Sequence, residues 1–207
     1  MGKIRVLYET VYDEMCSYLK KYYLVSDELS ETLFECCTLQ HFEKGDLLVS
    51  EGTECNYLYL IIRGFCSCCY VKDGKEHVLR FMEEGNFVLL FHGFLGRKKA
   101  VLNIKAMEDT TVLSLSRKDF EVLSKQNTDF VLLFYHVLKD FLIEYEDRDF
   151  RLRSNSAEER VVYYQNIHEI QPLLQRVPQY RIASYLGMTP ETFAKILGRL
   201  NKKTKTL

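Results

Sequence analysis

The 207-residue sequence has no tryptophan and only three prolines. It contains no low-complexity tract and no tandem repeat, which excludes those architectures. No apolar run approaches the roughly 20 residues that a bilayer span needs, and the opening MGKIRVLYET lacks the apolar centre of a secretory signal. A cytoplasmic protein without a membrane partner is therefore expected. The histidines His41, His77, His92, His136 and His168 are scattered, without metal-ligand spacing and without a Ser or Cys partner suited to nucleophilic catalysis. No phosphate-gripping glycine loop is present either. The expectation is no metal, no cofactor and no enzymatic activity. The seven cysteines are an odd number, so they cannot all pair internally, and cytosolic thiols are normally kept reduced.

What the chain does have is apolar material for a core, 47% of its residues. From about Ile4 to Thr38 apolar side chains recur at helical intervals (Leu7, Val11, Met15, Leu19, then Leu29, Leu33, Phe34), predicting short helices. From His41 the rhythm becomes short β-rich runs: Leu47 to Val49, Tyr57 to Ile62, Phe65 to Val71, Val78 to Met82, Val101 to Ala106 and Val112 to Leu115. Glycines punctuate them, and Lys72-Asp73-Gly74-Lys75 suits a hairpin turn, because Asp-Gly tolerates the positive φ of a tight connection. A sandwich or barrel-like roll is the expected result.

Ser116 followed by Asp119 opens a further helical region that passes into a long segment ending near Arg153. There Val131, Phe134, Leu138, Phe141, Tyr145 and Leu152 fall on alternating steps of three and four, with Arg148 at the one polar step. That spacing fits the seam of a helix pair, and packing of the same stripe on the chain's own β domain is the alternative. Ser156 with Glu159 has the form of a capping box and marks the start of a C-terminal module, with Arg153 to Asn155 as hinge.

That module is the most informative part. In RVPQYRIASYLGMTPETFAKILGR, Ile182, Ala183, Tyr185 and Leu186 give a first short helix its buried side and Gly187 ends it. Thr189 can cap a second helix, with Pro190 at its first position and Glu191 favoured by the dipole. Phe193, Ile196, Leu197 and Leu200 would bury one face, leaving Glu191, Thr192, Lys195 and Arg199 at or near the other, as a recognition helix in a major groove requires. Charge agrees with this. From Arg176 onward seven basic residues face Glu191 alone, a net +6 in a chain of net −1, so the remainder carries −7.

A glycine-punctuated roll, a seam helix and a C-terminal helix-turn-helix, in that order, resemble the Crp/Fnr family of bacterial transcription regulators. The most specific pieces are Phe42 to Phe65, Glu83 to Phe87 and Tyr185 to Leu197. The resemblance implies an α+β chain: an N-terminal β-roll like a cyclic-nucleotide-binding domain with flanking helices over residues 1–126, a dimerisation helix over 127–153, and a helix-turn-helix domain over 154–207. It further implies a sequence-specific, homodimeric DNA-binding transcription regulator. The DNA-binding candidates are Arg181, Thr189, Pro190, Glu191, Thr192, Lys195, Arg199 and Lys202, and the dimer candidates are the six seam residues. Partners would be an inverted-repeat DNA operator, a second copy of the chain, RNA polymerase and an unknown small-molecule effector. Phe87, Leu90, His92, Arg97 and Asn103 are the candidate effector pocket. The alternative is a ligand-binding or protein-interaction module that keeps the roll without binding DNA.

Two departures from the family pattern carry consequences. Cyclic-nucleotide-binding members place a glutamate for the ribose and an arginine with a hydroxyl residue for the phosphate after the roll's glycine, whereas here Leu90, Ala100 and Val101 fall at those positions. Apolar side chains there would leave the phosphate and sugar hydroxyls unpaired, at roughly 1 to 3 kcal/mol each, so no useful cyclic AMP affinity is expected. Only Asn201 to Leu207 follow the recognition helix in this reading, which is too short for a full β wing. Some family members hold an iron-sulfur cluster on N-terminal cysteines, but Cys16, Cys36 and Cys37 lack the spacing of a cluster-binding run. Cys66, Cys68 and Cys69 lie in a predicted strand, where buried small hydrophobes are the default and a thiol switch the alternative.

Overall fold

The structure, a computed structural model, describes residues 2–167 and 170–204; for residues 2–7, 167, 171 and 202–204 it describes the backbone only. The chain divides into two compact units, residues 1–68 with 81–141, and residues 69–80 with 142–207.

The first unit opens with α1 (Gly2–Tyr22), whose Val11, Met15 and Leu19 recur every four residues and are buried. Helix α2 (Asp27–Cys36) begins where Ser26 turns to extended backbone and its Oγ accepts from Leu29 N at 3.3 Å, with Asp27 and Glu28 complementing the dipole. The roll follows as β1 (Cys37–Phe42), β2 (Leu47–Val49), β3 (Tyr57–Arg63), β4 (Cys66–Lys72), β5 (Lys75–Met82), β6 (Phe87–Val88), α3 (Phe91–Phe94), β7 (Asn103–Ala106) and β8 (Thr110–Ser116). These strands form two four-stranded sheets, ordered β1-β8-β3-β6 and β2-β7-β4-β5. Helix α4 (Arg117–Gln126) is capped by Ser116, whose Oγ accepts from Asp119 N at 3.1 Å, and α5 (Thr128–Ser154) runs through both units.

The roll is an α+β fold with the strands where the β-rich runs stand. Strand β3 is buried without interruption from Leu58 to Ile62, as suits a strand covered on both faces, and it lies between β8 and β6. Gly64 turns the chain at φ +107°, with Thr110 so close that a Cβ would sit 2.6 Å from its Cα. Asp73 and Gly74 take φ values of 53° and 71°, the double left-handed turn whose twist matches a two-residue hairpin.

Three local expectations need correction. The helical reading through Thr38 stops at Cys36, because Cys37 enters β1 and pairs with β8 from Cys37 opposite Leu115 to Phe42 opposite Thr110. A ladder to a strand distant in sequence overrides apolar spacing that also fits a helix. The short elements β6 and α3 were not foreseen. Third, the residues expected to trail the last helix continue it as far as Thr204.

The second unit contains residues 69–80 of β4 and β5, the rest of α5, then α6 (Ala157–Ile167), α7 (Ile170–Arg176), α8 (Gln179–Tyr185) and α9 (Pro190–Thr204). The capping box is reciprocal: Glu159 N donates to Ser156 Oγ at 3.3 Å and Ser156 N donates to Glu159 Oε2 at 2.7 Å. The core of the unit is built from Val161, Tyr164, Ile170, Val177, Ile182, Leu186, Phe193, Ile196 and Leu197. His168 lies outside the described residues.

Candidate nucleic-acid interface

Helices α8 and α9 meet at a turn that local chemistry closes on both sides. Gly187, at φ +65°, ends α8; its N–H donates to Ser184 O at 3.0 Å and Met188 N donates to Ala183 O at 3.0 Å. Thr189 then caps α9, its Oγ1 accepting from Thr192 N at 3.3 Å, and Pro190 is the first helical residue. Carbonyls left over at the end of α8 go to two guanidinium groups. Arg148 Nη2 donates to Tyr185 O at 2.9 Å, while Arg160 donates to Leu186 O at 2.8 Å and to Gly187 O at 3.2 Å. Arg148 also lies 4.8 Å over the Tyr185 ring. The polar step of the seam thus has an intramolecular task, which periodicity alone could not show.

Helix α9 buries Phe193, Ile196 and Leu197 and exposes Glu191, Lys195 and Arg199. Thr189 and Pro190 are exposed at its start and Thr192 is half-buried. Hydrogen bonds from its own backbone N–H and from the Thr189 hydroxyl, with a smaller contribution from Lys75, hold the Glu191 carboxyl below its usual range. Arg199 pairs with Glu158 at 3.1 Å on an open surface. Arg181 is different. Its side chain is only 12% exposed and pairs at 2.8 Å with Glu76, which is 19% exposed. The Lys202 side chain lies outside the described residues.

The six seam residues on α5 do not share one surface. Phe134 stands edge-on to Phe120 at 4.8 Å and Phe141 to Phe91 at 4.2 Å, both turned to the first unit's own aromatic packing. Leu138 is half-buried, and Leu152 lies so near Gly187 that a Cβ on that glycine would meet it at 3.0 Å. Val131 and Tyr145 are exposed, as are Leu132, Tyr135, Leu142, Ile143 and Phe150.

Residues 39–127 match the family model of the cyclic nucleotide-binding domain. Half of the chain, 105 residues, is 30% identical to the anaerobic regulatory protein of Bacillus subtilis, over 44% of that protein, so the match spans less than half of the relative's length. FixK2 from Bradyrhizobium japonicum superposes with a TM-score of 0.71 at 21% identity, over 81% of this chain and 86% of that one. A CooA double mutant from Carboxydothermus hydrogenoformans gives 0.66 at 25% identity, over 86% and 82%. A protein from Eubacterium rectale assigned to the Crp/Fnr transcriptional regulators gives 0.67 at 16%, over 86% and 85%. The chain has the fold of the Crp/Fnr regulators, and its residues 39–127 are similar to a cyclic nucleotide-binding domain.

At the three positions that the family pattern gives to a glutamate, an arginine and a hydroxyl residue, this chain has apolar side chains. Leu90 and Ala100 are buried, Val101 is exposed, and among the described residues the fully buried polar side chains are Ser30, Ser67, Thr110 and Ser114, none of them charged. Arg97 is exposed and paired with Glu121 at 2.6 Å. Asn103 Oδ1 accepts from Glu51 N at 2.8 Å. His92 is exposed, and Phe87 borders a separate cavity of about 30 Å3 whose other walls include Met15, Leu33, Phe130 and Val137. Burial raises the Cys37 and Cys66 thiols to about 12, and it also raises Cys36 and Cys55, which favours the protonated form of these four.

Proposed function

We propose that the chain is a homodimeric, sequence-specific DNA-binding transcription regulator whose roll does not take a cyclic nucleotide. The observation that carries this is α9, a capped helix fixed by Phe193, Ile196 and Leu197 that turns Glu191, Lys195 and Arg199 to solvent. Glu191 can accept from a cytosine amine, Lys195 can donate to guanine, and Arg199 and Lys202 can meet phosphates. The fold of the Crp/Fnr regulators supports the same reading.

For the dimer, two positions of the seam move by one residue, from Phe134 to Tyr135 and from Phe141 to Leu142. Val131, Tyr135, Leu138, Leu142 and Tyr145 keep the three-four spacing, with Leu152 one heptad further, and apart from Leu138 and Leu152 they are exposed. A second copy is the occupant of this stripe, since paired recognition helices read an inverted repeat. RNA polymerase, a small-molecule effector and a cytoplasmic location belong to the same reading.

The test is selection of bound sequences from a random DNA pool, followed by anisotropy titrations at several salt concentrations. Affinity should fall steeply with salt, and Lys195→Gln should flatten the slope of log K against log salt by about 0.9 if it contacts one phosphate, or change base preference if it reads guanine. No enriched sequence and no salt dependence would reject DNA binding in favour of a protein-interaction module. Sedimentation should give a dimer that Leu142→Glu dissociates; an unchanged dimer would reject the stripe. Calorimetry should find no micromolar binding of cyclic AMP or cyclic GMP.

A further inference from the structure

The tip of the β4–β5 hairpin, residues 69–80, belongs to the same compact unit as the helix-turn-helix, and it addresses that module with opposite charges. Three alternate residues of β5 hold it. Glu76 Oε1 pairs with Arg181 Nη1 at 2.8 Å, Val78 N donates to Ser184 Oγ at 3.0 Å, and Arg80 Nη2 donates to Glu144 Oε2 at 2.7 Å. Tyr70 and His77 stack across the hairpin with centroids 4.9 Å apart, which stiffens it. Lys75, at the turn, acts electrostatically on Glu191. One of the eight candidate DNA contacts, Arg181 on α8, is therefore paired with a hairpin residue of opposite sign.

We propose that the hairpin tip is an autoinhibitory latch: Glu76 occupies the place on Arg181 that a DNA phosphate would take, and release of β5 from α8 precedes full DNA binding. The physical basis is competition for one guanidinium. Because Arg181 and Glu76 are both largely shielded from water, their attraction is little screened by salt. A phosphate arriving while Glu76 is in place meets a carboxylate instead of an available fork of donors. The latch is built from contacts with α8 and with Glu144 of α5, and it leaves Lys195 exposed, so the latched protein binds DNA weakly rather than not at all.

The inference rests on the DNA-binding reading and is tested separately from it. Wild type, Glu76→Gln and Ser184→Ala are titrated by fluorescence anisotropy against the DNA selected with wild type, across a salt series, with thermal melts in parallel. Glu76→Gln should bind at least fivefold more tightly, the low end of ordinary allosteric couplings, and the slope of log K against log salt should steepen by about 0.9 as one more phosphate contact forms. Ser184→Ala, which removes only the hydroxyl that accepts from Val78, should shift affinity in the same direction by a smaller factor. A purely structural role for Glu76 would not steepen the salt slope. Wild-type binding with no gain in either variant, or with an unchanged slope, overturns the latch and leaves DNA binding standing. If Glu76→Gln fails to fold, Ser184→Ala decides alone. No binding by any of the three overturns both readings.

Discussion

Phe193 is fully buried near the start of α9 and anchors that helix to the second unit's core. Phe193→Ala removes the largest side chain in that contact and leaves a hole, and such truncations cost about 3 to 5 kcal/mol. A unit of roughly 80 residues has a total stability of about 4 to 12 kcal/mol, so roughly a quarter or more of its stability goes with this one ring. The first unit has its own core around Leu29, Ile61, Ile62, Ile104 and Val112, none of which the substitution touches. Denaturant unfolding followed by circular dichroism should therefore split into two transitions, the helical unit melting early and the roll near its wild-type midpoint. DNA affinity should disappear at denaturant concentrations where the roll is still folded. Phe193→Leu, nearer in volume, should cost about 1 kcal/mol and keep most of the binding. A single unshifted transition for Phe193→Ala would refute the assignment of Phe193 as the anchor of α9.

Other outcomes follow from single contacts. Gly64→Ala puts a Cβ 2.6 Å from the Thr110 backbone at φ +107°, so it should lower the roll's melting temperature by more than a typical surface substitution, whereas Gly45→Ala, with open space around it, should show only backbone strain. Ser156→Ala should destabilise the helical unit by about 1 kcal/mol in denaturant titration. Its partner Glu159 is held below the usual carboxylate range by Ser156, so its contribution is present above the ordinary pKa of 4.5 and is lost as pH falls through the lower folded value. Cys37 and Cys66, raised by burial from 9.0 to about 12, favour the folded state below pH 9 and lose that contribution as pH rises from 9 toward 12. Their alkylation at pH 8 should be slow until denaturant is added; rapid labelling of the folded protein would contradict their burial.

Features set by neighbours in the chain were legible in advance. Asp73-Gly74, the Ser156–Glu159 box and the stretch from Ala183 to Thr192 each contain both partners of their own hydrogen bonds or both residues of a required φ, so reading them needs no knowledge of the fold. The seam on α5 shows where this stops. Val131, Phe134, Leu138, Phe141, Tyr145 and Leu152 satisfy a three-four rhythm, yet Phe134 and Phe141 turn to Phe120 and Phe91 while Leu142 and Phe150 remain outside. Spacing defines a stripe, and only the surrounding surfaces decide which of two adjacent stripes is covered.

By itself the chain determined the order of helical, β-rich and helical regions, the capped two-helix unit at Ala183 to Thr192 and the excess of positive charge at that end, because each depends on composition or on residues a few steps apart. Tertiary structure decided that Cys37 begins a strand, that Arg148 and Arg160 close the turn between α8 and α9, and that Arg181 faces Glu76 rather than open solvent. Those outcomes depend on partners far away in sequence, and pairing energies across such distances leave no periodic trace along the chain.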